Sequence, residues 1–94
     1  MSMINFECKT TKSVSTAIAE RERAIRKQHK ISRQKLAELS GVSYASIRRF
    51  ETTGKISLSS LINIAMVLDC TDDFDMLFQN QIPLTIQEII DGNV

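Results

Sequence analysis

Tryptophan is absent from this 94-residue chain; histidine, tyrosine and proline each occur once, cysteine twice and glycine three times. Each scarcity removes a class of protein. A lone histidine, His29, cannot supply the imidazole of a Ser/His/Asp or Cys/His set and also leave a second ligand for a metal. Three scattered glycines make no phosphate-cradling loop. With a single proline beside them, the turn chemistry of a multistranded sheet is missing. Cys8 and Cys70 lack metal-ligand spacing, so the expected state is a pair of reduced thiols in an intracellular setting. No apolar run approaches the roughly 20 residues of a membrane span. The opening MSMINFECKTTK lacks the apolar stretch of a secretory signal. Asp72, Asp73 and Asp75 sit as helix-start charges and not as acid/base machinery. The expectation is a cytoplasmic protein with no enzyme activity, no cofactor, no metal and no membrane partner.

What is there is one small domain's worth of ordinary globular sequence, 43% hydrophobic and 24% charged. Its net charge of +1 hides an asymmetry. Residues 1–50 carry eleven basic side chains against four acids, which is +7. Residues 51–94 carry Lys55 against seven acids, which is −6. One half is suited to face a polyanion while the other is repelled from it.

Residues 1–12 show no clean period and are read as an arm, with Lys9 and Lys12 either on phosphate or in a solvated tail. Residues 13–80 form the domain, and 81–94 a C-terminal extension. Ser13 or Ser15 can cap a helix running to about Gln28. Its inward positions at helical spacing are Val14, Ala17, Ile18, Arg21, Ala24 and Ile25, with the Glu/Arg mixture of 20–27 on the exposed face.

The stretch from Ile31 to Leu68 is the most informative. Ser32 caps a short helix to about Ser40, and Gly41 sits where a left-handed residue closes it. Ser43 caps a third helix over roughly 44–51, with Ile47 and Phe50 as its only large anchors, before Thr52-Thr53-Gly54 stops it. Two short helices joined by a tight glycine turn, the second polar on its outer side, have the shape of a helix-turn-helix DNA reader. Ser57 caps a fourth helix with Leu58, Leu61, Ile62, Ala65 and Leu68 on one stripe. Phe74, Leu77 and Phe78 recur at i, i+3, i+4 in a short fifth helix capped by Thr71 or Asp72. Beyond Pro83, Thr85 and Glu88 have capping-box spacing for a terminal helix, with an extended strand through Leu84 and Ile86 as the rival.

The elements LAELSGVS (36–43), SIRRFETTGKIS (46–57) and SLINIAMVL (60–68) resemble the Xre-type helix-turn-helix family of phage Cro and lambda-like repressors. The resemblance covers about half the chain, in the family's order and spacing. It implies an all-α, five-helix lambda-repressor-like domain. Ser32-Arg33 and Glu51-Thr52-Thr53-Gly54 stand where many members have Thr-Gln and Glu-Asn-Gly. The exit FETTGKISL looks like the subgroup of antitoxins that accompany kinase-like toxins. The resemblance further implies that Arg26 reaches Glu51 and fixes the third helix, and that Lys55 and Ser57 form a second phosphate clamp.

For base edges the candidates are Tyr44, Ala45, Arg48 and Arg49. Ala45 suits a thymine methyl, and one of the two arginines suits guanine O6 and N7. Tyr44 either bonds phosphate through its hydroxyl or packs half-buried. Arg33, Ser43 and Ser46 suit backbone phosphates. A sequence-specific regulator of this size is expected to act as a repressor, pairing as a homodimer on a palindromic operator through Phe74, Leu77, Phe78, Ile82, Leu84, Ile86, Ile89 and Ile90. The alternative is an antitoxin that neutralises a kinase-like toxin and regulates its own operon, the acidic, apolar C-terminal third holding the partner.

Overall fold

Four hydroxyl side chains decide where the first four helices begin. In the computed structural model, which describes residues 9–79 and 86–92, they cap α1 (Thr11–Gln28), α2 (Arg33–Ser40), α3 (Tyr44–Thr53) and α4 (Leu58–Val67). Ser32 Oγ accepts from the Lys35 N–H at 3.0 Å, Ser43 Oγ from Ser46 at 3.1 Å and Ser57 Oγ from Ser60 at 3.2 Å. Each satisfies one of the donors that a helix start leaves without an intrahelical partner. Ser32→Ala is therefore expected to cost about 1 kcal/mol, seen as a thermal midpoint lowered by roughly 4–8 °C. An unchanged midpoint would show that water replaces the cap at no cost.

The first helix starts earlier than its sequence suggested. Thr10, not Ser13 or Ser15, is the cap: the Ser13 N–H donates to Thr10 Oγ1 at 3.0 Å while the Thr10 N–H donates to Ser13 Oγ at 2.9 Å. Two hydroxyls three residues apart satisfy each other's backbone. The end of the expected arm is thus already helical, and its residues 1–8 lie outside the described residues.

Gly41 (φ 76°) and Gly54 (φ 81°) close α2 and α3 in the left-handed conformation, each returning its N–H to the carbonyl four residues back. The third helix consequently runs through Thr53, two residues beyond the expected end.

The core is built from α2, α3, α4 and the turns between them. Leu36, Val42, Ile47, Ile64 and Leu68 are buried together, with Ile25, Ile31, Ala37, Ile56, Val67 and Cys70 packed around them. Phe50 and Ala19 are buried as well. Two expected faces are corrected here. In α1 the buried residues are Ala19, Glu22 and Arg26, so the inward face is rotated from the one drawn through Val14, Arg21 and Ala24, all of which are exposed. Glu22 on this face looks, in sequence, like part of a solvated surface, whereas Arg26 takes the inward place that the family resemblance implies. In α4, Ile64 is fully buried and Leu58 is 62% exposed. The helical period alone does not separate Leu58 from Leu61; only the surface packed against the helix does.

The fifth helix, α5, is a single turn, Asp72–Asp75. Thr71 precedes it without a side-chain cap. The chain then turns away: Phe78 takes a positive φ of 64° and is 91% exposed. Phe74 is half-buried, Leu77 is exposed, and the three do not form the helical face their spacing suggested. A sixth helix, α6 (Ile86–Asp91), takes the helical alternative for the terminal segment, with Ile86, Ile89 and Ile90 exposed. Ile82 and Leu84 lie outside the described residues. Among the described residues no strand occurs, and no helix is long and apolar enough to cross a membrane.

Candidate nucleic-acid interface

The third helix turns Ile47, Phe50 and the Glu51 carboxylate inward and most of its other side chains out. Ile47 and Phe50 are buried, while Tyr44, Ala45, Ser46, Arg48, Arg49 and Thr52 are exposed. Positions three and four apart share a helix face. Tyr44, Ala45, Arg48, Arg49 and Thr52 accordingly line one shallow depression. The structure thus gathers the four residues expected at base edges and adds Thr52, which in sequence is only part of a helix-stop signal. Its hydroxyl donates to the Arg48 carbonyl at 2.8 Å, and the Thr53 hydroxyl donates to the Arg49 carbonyl at 2.7 Å. These bonds serve carbonyls at the helix's C-terminal end. The 4-residue offset from Arg48 was the signal that could have found Thr52.

Orientation of this helix rests on one carboxylate. Glu51 Oε2 accepts from Arg26 Nε at 2.8 Å, and Glu51 Oε1 accepts from both Arg26 Nη2 and Arg33 Nε at 2.8 Å. Arg26 Nη1 also donates to the Ile31 carbonyl at 2.9 Å, in the link between α1 and α2. Glu51 therefore ties α1 and α2 to α3, and its side chain is fully shielded from solvent. Burial pushes its carboxyl up, but the hydrogen bonds from Arg26 and Arg33, with Glu22 alongside, outweigh that and hold it down at about 2. Only a planar guanidinium grips both carboxylate oxygens in this way.

Arg33 was expected on phosphate. It is half-buried, and its Nε is committed to Glu51. That bond raises its pKa against the opposing effect of burial, and Tyr44 adds to the rise. Arg33 nevertheless borders a second depression, together with Arg23, Arg26, Ser32, Gln34 and Tyr44. Three guanidinium groups here meet the N-terminal end of α2, where the helix dipole and free N–H groups favour an anion. Arg23 and Gln34 are additions to the expected set, since Arg23 in sequence belongs to a Glu/Arg mixture on an exposed helix face. Tyr44 borders both depressions and is 48% exposed, between its two expected roles.

The remaining phosphate candidates lie apart from both depressions. Ser43 and Ser46 are exposed at the start of α3, where Ser43 Oγ donates to Ser46 Oγ at 2.8 Å. Lys55 and Ser57 are exposed on the loop into α4. Among the described residues no group of three or more His, Cys, Asp or Glu side chains could hold a metal ion.

A protein-family model described as helix-turn-helix matches residues 23–74, more than half of the chain, from the middle of α1 into α5. No curated protein matches the chain.

Proposed function

Because the chain belongs to the Xre and lambda-repressor-like helix-turn-helix family, and is thus a DNA-binding transcription regulator, we propose that it acts as a repressor, two copies gripping a palindromic operator. The observation that carries this reading is the exposed strip of α3, which sets Arg48 and Arg49 beside Tyr44 and Ala45 with no apolar neighbour covering them. One arginine takes guanine O6 and N7, the other a phosphate, and Ala45 meets a thymine methyl. Arg33, Ser43, Ser46, Lys55 and Ser57 position the backbone. One such module covers little groove surface, so two are needed on half-sites about 34 Å apart. The copies meet through Phe74, Leu77, Phe78 and the 82–90 segment; the exposure of Phe78, Ile89 and Ile90 supports this. A DNA target places the protein in the cytoplasm, on the nucleoid.

Sites selected from random DNA give the operator. On it, Arg48→Ala/Arg49→Ala should weaken binding by roughly 1–3 kcal/mol for the base-reading arginine and lower the salt slope by about 1 for the phosphate-bound one. Equal binding by the double variant and the wild type would overturn this reading.

A second reading keeps DNA binding as autoregulation and makes the chain an antitoxin for a kinase-like toxin. It is favoured by the charge of −6 over residues 51–94 and by the exposed apolar side chains at Leu77, Phe78 and Ile86. Deleting residues 80–94 separates the two: loss of a co-purifying kinase-like partner with operator binding intact supports the antitoxin, and loss of dimer and operator binding together supports the repressor.

A further inference from the structure

Among the described residues, Glu22 is the one buried charged side chain that the Glu51 network does not neutralise. It is 7% exposed, on the face of α1 that meets α3, and both of its carboxyl oxygens are buried without a hydrogen-bond donor. A buried carboxylate with no donor is among the costliest groups a core can hold. The cations that could serve it are turned elsewhere. Arg26 spends Nε and Nη2 on Glu51 and Nη1 on the Ile31 carbonyl, and Arg33 spends Nε on Glu51. The remaining group facing Glu22 is Glu51 itself, an acceptor that already holds both guanidinium groups. Two carboxyls can satisfy each other only when a proton lies between them.

We propose that Glu22 is a protonated acid in the folded domain, donating its proton to Glu51, and that this proton is linked to DNA binding through the charge beneath α3. The groups acting on Glu22 are Glu51 from α3, Arg26 from its own helix and Arg33 from α2. With the proton in place the four side chains sum to +1; without it they sum to zero. Loss of the proton also divides the two guanidinium groups between two carboxylates, which weakens the hold on Glu51 that orients α3. Both effects disfavour a polyanion at that face. By reciprocity, bound duplex tightens the proton on Glu22. Burial first, then the hydrogen bond with Glu51 and its charge, push the Glu22 carboxyl up to about 8, against Arg26 and Arg33, so the transition falls just above neutrality.

Glu22 acts here as a positioning residue, and its DNA linkage rests on the regulator reading above. The sign for stability is set by the raised pKa. The folded state keeps a proton that the unfolded chain releases near 4.5, so the contribution is complete below that value and is lost as pH rises toward 8.

Two measurements on the whole protein decide the proposal. Carbon NMR of the side-chain carboxyls should show Glu22 titrating above neutrality with the Glu51 signal moving in step. Glu22→Gln, whose amide donates to Glu51 at every pH, should abolish the step and flatten the decline of denaturation midpoint with pH, whereas Glu22→Ala should not restore stability. Titration of Glu22 in the ordinary carboxyl range would overturn the shared proton. Binding of a random-sequence duplex at fixed ionic strength should weaken several-fold for the wild type as pH rises through that step, and stay flat for Glu22→Gln. Parallel declines in both proteins would overturn the linkage. Absence of duplex binding by the wild type at any pH would overturn the regulator reading and the linkage with it, while the carboxyl titration still decides the proton.

Discussion

Glu51→Ala is expected to destabilise the domain by roughly 3–5 kcal/mol, the usual cost of removing one partner from a buried ion pair. The reason is what it leaves behind. Arg26, whose side chain is 8% exposed, loses two 2.8 Å bonds to Glu51 and keeps the one to the Ile31 carbonyl. Its positive charge then keeps only Glu22 as a possible counter-charge, and Glu22 loses the acceptor for its proton. Denaturant unfolding should show a lower midpoint at unchanged slope. Replacing Arg26 and Glu51 together by apolar residues of similar volume should cost far less than the single change, because no charge is stranded. A loss below about 1 kcal/mol, the value of an exposed pair, would show that water reaches this cluster. The pair also sets an acid limit. With the folded carboxyl of Glu51 lowered to about 2, its contribution is complete above the unfolded value of 4.5 and is lost as pH falls through that window.

Gly54→Ala is expected to cost roughly 2–5 kcal/mol through two separable causes. Gly54 holds φ at 81°, where an L side chain is strained by about 1–2 kcal/mol. A Cβ there would also lie 2.9 Å from both the carbonyl carbon and the Cβ of Ser15 on α1. Backbone atoms of a capped helix yield only by moving the helix, which adds about 1–3 kcal/mol of overpacking. Gly41→Ala is the matched control: its φ is 76°, yet nothing lies within 4 Å of the added carbon. Thermal unfolding should therefore show a much larger drop at Gly54 than at Gly41. Equal drops would mean that α1 shifts freely away from α3. Since that junction also carries Arg26, Glu22 and Glu51, a displaced α1 would disturb the orientation of the exposed strip on α3.

The starts and stops of the central helices were legible because their causes are local. Ser32, Ser43 and Ser57 bond N–H groups three residues away, and Gly41 and Gly54 take a conformation that other residues avoid. The outward display of Arg48 and Arg49 was legible too, since Ile47 and Phe50 leave only one way to turn that helix. Thr10 was not, because threonine and serine at 10, 13 and 15 cap equally well until the backbone chooses. Phe74, Leu77 and Phe78 show the opposite failure: perfect helical spacing on a chain that turns instead, with Phe78 in a positive-φ turn and exposed.

The amino-acid order by itself determined the central helices, their serine caps and the basic strip on α3, which depend on neighbours within a few residues, and the opposed charges of the two halves. Only the tertiary structure decided that Glu22 lies inside, that Arg33 joins Arg26 on the carboxylate at position 51 and so ties three helices together, and that Tyr44 borders two depressions. A glutamate–arginine helix face reads the same in water and in a core. What separates the two is whether another helix covers it, and burial is a property of the partner's position, not of the residue's own sequence.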